Sequence, residues 1–176
     1  MARAEVKLRE FRPDDAPAVE RWFNDERVTA DLVGRRDSFD SEAARGWVER
    51  AMQQGDDRKW AITIDGDDAA VGFVALFGLS RGIGPELAVL VGEPSAWGKG
   101  VAGEAERQAC EIAFNEFGVH RIHAEIPATN IPAQKVVTRL GFRHEGTMKK
   151  AIVRPDGQVD NQIWGLLPED FANNGG

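Results

Sequence analysis

The sequence predicts a single α/β domain built on one mixed sheet, and three observations carry that prediction. Its 176 residues, 42% apolar and 29% charged, suit one globular core and leave little room for two. Apolar patterns of period 2 and period 3.6 follow one another in the order β-α-α-β-β-β-α-β-α-β-β. No repeat, low-complexity tract or Pro/Gly/Ser-rich linker interrupts that order.

The elements can be justified in turn. Val6-Lys-Leu-Arg-Glu-Phe11 alternates as a strand. Pro13-Asp14-Asp15 opens a helix over about 13–23, with proline in its first turn and acids at its positive end. Asp40-Ser41-Glu42 starts a second helix, in which Ala44, Trp47, Val48 and Ala51 form one apolar stripe. Asp65-Gly66-Asp67-Asp68 separates two apolar runs, 60–64 and 70–79, and predicts a hairpin. Glu86–Val91 is nearly continuous in apolar residues and predicts a strand buried on both faces.

A third helix follows a glycine-rich loop and runs to about Phe117, where Gly118 stops it; Ala102, Ala105, Ala109, Ile112 and Ala113 let it pack closely on a sheet. In "RIHAEI", Ile122, Ala124 and Ile126 face one way and Arg121, His123 and Glu125 the other. A short helix starts at Asn130, presents Ala133, Val136, Val137 and Leu140 on one face and ends at Gly141. Two strands, about 143–153 and 158–167, flank the turn Arg154-Pro155-Asp156-Gly157, and Asn173-Asn174-Gly175-Gly176 reads as a frayed end.

Composition removes several function classes. The net charge of −7 comes without a Lys/Arg cluster, which argues against nucleic acid and is compatible with cationic amines. No apolar run reaches the ~18–20 residues of a membrane span. The opening "MARAEVKLREFRPDD" breaks into charge too early for a signal peptide, so the cytoplasm is the expected location. One cysteine, Cys110, excludes an intramolecular disulfide and a cysteine-cluster metal site; among alanines it reads as a small buried hydrophobe. His120, His123 and His144 lack metal-ligand spacing, so no metal is expected.

Gly98-Lys99-Gly100-Val101-Ala102-Gly103 spells G-x-G-x-x-G, with Glu125 at the end of the next strand where a ribose-binding acid would sit. The topology opposes a dinucleotide fold. Six residues separate the strand from the first glycine, and the loop lies past the midpoint of the chain, with no run of parallel βαβ units after it. A Walker loop fails because Lys99 is followed by glycine. What survives is an anion-binding helix start, in which glycines admit a phosphate and backbone amides point at it. A glycine turn that only packs a helix tightly is the alternative.

Here the sequence resembles the GNAT superfamily of acetyl-CoA-dependent N-acetyltransferases. "WGKGVA" is similar to their Gln/Arg-x-x-Gly-x-Gly/Ala loop, with Trp97 in the first place, and "NIPAQKVVTRLGFRHEG" to an Asn-x-x-Ala/Ser … Leu-Gly-Phe-x-x-Glu-Gly signature. Both resemble the branch of ribosomal-protein N-terminal acetyltransferases and spermidine acetyltransferases, as do "LREFRPDD", "RWFNDERV" and "RPDGQVDNQIWGLL". The likeness spans about residues 5–167 of one 1–176 domain, leaving 168–176 as a frayed tail. It implies a mostly antiparallel central sheet flanked by about four helices.

The resemblance implies that acetyl-CoA binds as co-substrate. Leu90, Val91 and Gly92 would pair with its pantetheine arm, and the amides of Gly98, Lys99, Gly100, Val101, Ala102 and Gly103 would hold its pyrophosphate. Asn130, with Ala133, would contact the pantetheine, although Asn130 is equally a helix N-cap.

Amide formation needs a neutral amine. At pH 7 that costs roughly 4.6 kcal/mol for an alkylamine of pKa ~10.4 but about 1 kcal/mol for an α-amine. A carboxylate is the natural base, and Glu125 ranks narrowly ahead of Glu86. The tyrosine that many relatives use as general acid falls at Val137 here, and the chain contains no tyrosine. Thr129, Thr138 and His144 are near in sequence without a feature that recommends them. Trp22, Asn24, Asp25 and Asp31 lie where this branch's substrate-facing first loop would be, or else at an ordinary helix end. The acceptor stays open between a protein N-terminus and a small polycationic amine, and a homodimer stays open too. The competing reading is a non-catalytic acyl-CoA-binding module.

Overall fold

The computed structural model describes residues 4–30, 32 and 38–174. Its strands are β1 (Val6–Arg9), β2 (Arg58–Ile64), β3 (Gly72–Phe77), β4 (Glu86–Val91), β5 (Ile122–Pro127), β6 (Arg143–Arg154) and β7 (Gly157–Leu166). They form one sheet in the order β1-β2-β3-β4-β5-β7-β6. Every neighbouring pair is antiparallel except β4–β5, which is parallel and shares a single register pair, Glu86 with His123. A parallel joint needs a crossover, and α4 (Val101–Asn115) supplies it. Beyond Glu86 the two strands diverge and the sheet is split.

Each face of the sheet is covered by helices whose packing side is small or apolar. On one face Ala105, Ala109, Cys110 and Ala113 of α4 are fully buried against Val74, Leu76, Leu87, Ile122 and Ala124, with α5 (Ile131–Leu140) adding Val137. On the other, α1 (Ala16–Asn24) and α3 (Ser41–Met52) bury Val19, Trp22, Ala44, Val48 and Ala51 on Ala61, Phe73, Ala75 and Leu90. Asp40 caps α3 by accepting from the Ala43 amide at 2.8 Å. The expected start at Pro13 is a 3-10 turn (Pro13–Asp15) leading into α1. Asp15 organises that turn, taking both Arg9 guanidinium nitrogens (2.7 and 2.8 Å) and the Arg12 amide.

Three expectations need correction. Among the described residues there are six α-helices rather than about four, because α2 (Glu26–Thr29) is added by an Asp25 cap and α6 (Pro168–Asn174) stands where a frayed tail was expected. Proline at the start of α6 and acids in its first turn suit a helix N-terminus. The helix is anchored by Arg143 donating to Asp170 and by Phe171 against Phe114, ring centres 5.7 Å apart. The strand expected to be buried on both faces, β4, buries only Leu87 and Leu90 among its apolar residues, because the split leaves its later part beside a gap. Among the described residues no helix is long and apolar enough to cross a membrane.

Candidate functional site

The parity of β4 decides which backbone groups face the split. The Gly92 amide donates to the Val71 carbonyl at 2.8 Å, which makes that pair a hydrogen-bonded rung of the antiparallel β3–β4 ladder. Rungs alternate, so Leu90 and Ala88 are spent on β3, while Leu87, Val89 and Val91 turn their amides and carbonyls the other way. The bond from the His123 amide to the Pro85 carbonyl, 3.0 Å, fixes the same parity from the β5 side. Leu90 and Gly92 turn their amides to β3 rather than to the gap. Val89, which a residue count alone could not single out, faces the gap together with Val91. The Val91 carbonyl is taken by the Trp97 indole, Nε1 to O 2.8 Å, leaving its amide toward the gap.

Gly92 is glycine for a reason of packing. A Cβ there would overlap the Trp22 indole, which is 1% exposed and donates Nε1 to Glu93 Oε1 at 2.9 Å. Gly92→Ala should lose about 1–3 kcal/mol of stability by overpacking, read as a lower urea midpoint at unchanged m. An unchanged midpoint would mean that Trp22 can move aside.

The glycine loop meets the requirements of an anion cradle. Gly98 and Gly100 adopt φ of +74° and +78°, a region costly for any residue with a Cβ. The first internal bond of α4 runs from the Glu104 amide to the Gly100 carbonyl, 3.1 Å. The amides of Gly100, Val101, Ala102 and Gly103 thus precede any intrahelical acceptor, at the positive end of a 15-residue helix. Gly103 also brings α4 onto α5, since a Cβ would stand 3.3 Å from Val136. Lys99 is half-buried, and its carbonyl accepts from the Ala4 amide. Asn130 caps α5 through Oδ1 to the Ala133 amide, 3.1 Å, which leaves its NH2 end as the donor it can offer a ligand.

At the closed end of the split three side chains converge on one face. Glu86 and His123 are register partners, and Glu125 lies two residues further along β5. One titratable atom of each lies within 4.8 Å of the others. Burial, then the Glu125 charge, pushes the Glu86 carboxyl above the usual carboxylate range, while His123 and Arg81 pull it back. Glu125 is exposed and held by Asn161, whose Nδ2 donates to Oε2 at 2.7 Å. His123 and Asn161 are site residues that sequence reasoning passed over. The alternation of "RIHAEI" was the signal for His123, because it put this ring on the Glu125 side.

The remaining candidates make contacts within the fold. Trp22 is core. Asn24 bridges α1 to Phe39, donating to its carbonyl and accepting from its amide. Asp25 caps α2 and chelates Arg27 (2.6 and 3.0 Å), which holds its carboxyl below the usual range. Asp31 lies outside the described residues. Val137, where relatives carry tyrosine, is 1% exposed in the core. Thr138 donates to the Gln134 carbonyl, and His144 packs edge-on against Trp164.

Comparison with known proteins bears on this arrangement. A family model described as the acetyltransferase (GNAT) domain matches residues 5–143. The uncharacterized N-acetyltransferase YnaD of Bacillus subtilis is 28% identical over 165 residues, 93% of this chain and 94% of that one. The structure of a GNAT-family acetyltransferase from Bacillus anthracis superposes with a TM-score of 0.79 at 26% identity, covering 96% of this chain and 98% of that one. Spermidine N-acetyltransferase from Vibrio cholerae, solved with CoA and spermine, shares the fold at a TM-score of 0.85 and 16% identity, covering 96% and 98%.

Proposed function

The chain belongs to the GNAT acetyltransferase family and is an acetyl-CoA-dependent acyltransferase, and from that premise we propose that it acetylates a peptide or protein N-terminal amine by direct attack, with Glu86 as the base. The observation that supports this most strongly is a half-buried carboxyl of raised proton affinity at the closed end of a split that exposes the Val89 and Val91 backbone. A base works best when its affinity approaches the operating pH. On that ground we place Glu86 ahead of Glu125, which the sequence ranked narrowly first.

Acetyl-CoA supplies the acyl group already activated as a thioester. The chain does the rest. The amides at the start of α4 and the NH2 of Asn130 hold the phosphate and pantetheine ends, and the Val91 amide donates toward the thioester oxygen. Glu86 takes a proton from the amine as its nitrogen bonds to the carbonyl carbon. The C–S bond breaks, and the thiolate takes its proton from a water that the proton on Glu86 replenishes, because the buried Val137 offers no hydroxyl. Holding amine and thioester together carries the larger part of the rate.

A polyamine site should present several acids from the first loop. Asp25, one of the acids expected there, is occupied by Arg27, which favours an acceptor with a single amine. The spermine bound to the Vibrio cholerae enzyme motivates the second reading, a polyamine acceptor. Thiol release from acetyl-CoA, offered short peptides with free N-termini, polyamines and aminoglycosides, separates the two. Turnover with peptides is expected. Turnover confined to polyamines or aminoglycosides would replace this acceptor by that class.

A further inference from the structure

His123 has no assigned part in the chemistry, yet its position asks for one. It is the register partner of Glu86 at the one rung joining β4 to β5. The ring is nine-tenths buried, and its Nδ1 has no hydrogen-bond partner among the described residues. Buried polar atoms are almost always paired, so an unpaired one needs an explanation. Its neighbours are acidic on two sides, with Glu86 across the joint and Glu125 on its own strand, one titratable atom of each within 4.8 Å of the others. From the β3–β4 connection Arg81 also acts on Glu86. From β7, Gly165 stands opposite His123, and the Arg121–Glu145 ion pair (2.7 Å) lies over that glycine.

We propose that His123 is a positioning residue for Glu86: within reach of both carboxylates at the closed end of the split, it holds Glu86 ionised and turned toward the incoming amine against the repulsion of Glu125. The proposal rests on Glu86 being the base. Without His123, burial and the Glu125 charge act on the Glu86 carboxyl with only Arg81 opposing them, and its proton affinity rises. Without Glu125, the one charge that raises it is gone, and the affinity falls. Opposite displacements from two neighbours are a signature that loss of packing alone does not produce.

Glutamate labelled with carbon-13 at the carboxyl reads this directly, the Glu86 resonance being the one missing from Glu86→Gln. In a pH titration the Glu86 midpoint is expected to move up in His123→Gln and down in Glu125→Gln. With the amine that turns over in the thiol assay, His123→Gln should lose kcat/KM several-fold at pH 6 and recover it at pH 9. A loss uniform in pH with an unmoved Glu86 midpoint would reduce His123 to packing and overturn the proposal. Should His123→Gln fail to fold, Glu125→Gln, altered at an exposed side chain, decides: an unmoved Glu86 midpoint there overturns it as well. Failure of Glu86 as the base shows elsewhere, as an acid limb that survives in Glu86→Gln.

Discussion

Glu86→Gln is expected to lower kcat/KM by about 10²- to 10⁴-fold at pH 7, the usual worth of a positioned general base, while leaving the Kd for acetyl-CoA unchanged. The two readouts separate because the groups proposed to hold the co-substrate are backbone amides of β4 and α4 together with Asn130, not the Glu86 carboxylate. The pH profile carries the sign. Burial and the Glu125 charge raise the Glu86 carboxyl, so the wild-type rate climbs with pH through a limb above the ordinary carboxylate range. In the glutamine variant that limb is absent. Stability moves the other way. A carboxyl raised in the folded state contributes stability that is complete below its unfolded value and is lost as pH rises through the folded one. Glu86→Gln therefore unfolds no more easily than wild type at neutral pH, although it is nearly inactive. A larger loss in Glu125→Gln than in Glu86→Gln would restore Glu125 as the base.

What could be read in the sequence was whatever depends on neighbours along the chain. The G-x-G-x-x-G loop, the Asn130 cap, the Asp40 cap and the hairpin around Gly66 rest on local backbone chemistry, and each falls where the pattern put it. The burial of Cys110 followed from its alanine neighbours in the same way. What could not be read depends on contacts made across the sheet or between distant parts of the chain. Which of Leu90, Val91 and Gly92 shows its amide to the gap depends on the rung made by Val71, twenty-one residues before Gly92. The trio at the closed end needs β4 to lie parallel to β5 in one register, and a shift of a single residue would send His123 to the other face. Asp25 read as an open acid because nothing in the spacing shows that Arg27 folds back onto it. Likewise α6 was missed because an acidic segment closing on Asn-Asn-Gly-Gly resembles a tail until Arg143 and Phe114 are seen to hold it.

A carboxyl with no part in the chemistry makes the second large prediction. Glu106 lies on the inner side of α4, buried to 6% exposure, with its Oε2 unpaired among the described residues. Burial pushes its affinity from 4.5 to about 8, so the folded protein carries this group protonated at neutral pH. An unfolded chain ionises it in the ordinary range. Between those two values each pH unit costs the folded state about 1.4 kcal/mol, and the full interval amounts to about 5 kcal/mol. Stability should fall from about pH 5 to pH 8 and level off above, with Glu86 adding in the same direction. The carboxylates of Asp15, Asp25, Asp68 and Asp160 are held low by Arg9, Arg27, Arg12 and Lys149, so their contribution is lost only in acid, below this window. For a chain of this size the Tm should drop by about 10 °C or more across the interval. In Glu106→Gln, which cannot ionise, most of that slope should vanish and the variant should be the more stable protein at pH 8. Urea unfolding at pH 5 and pH 8 measures both. An equal slope in wild type and variant would mean that the carboxyl is already ionised in the folded chain, and that α4 admits enough water to solvate it.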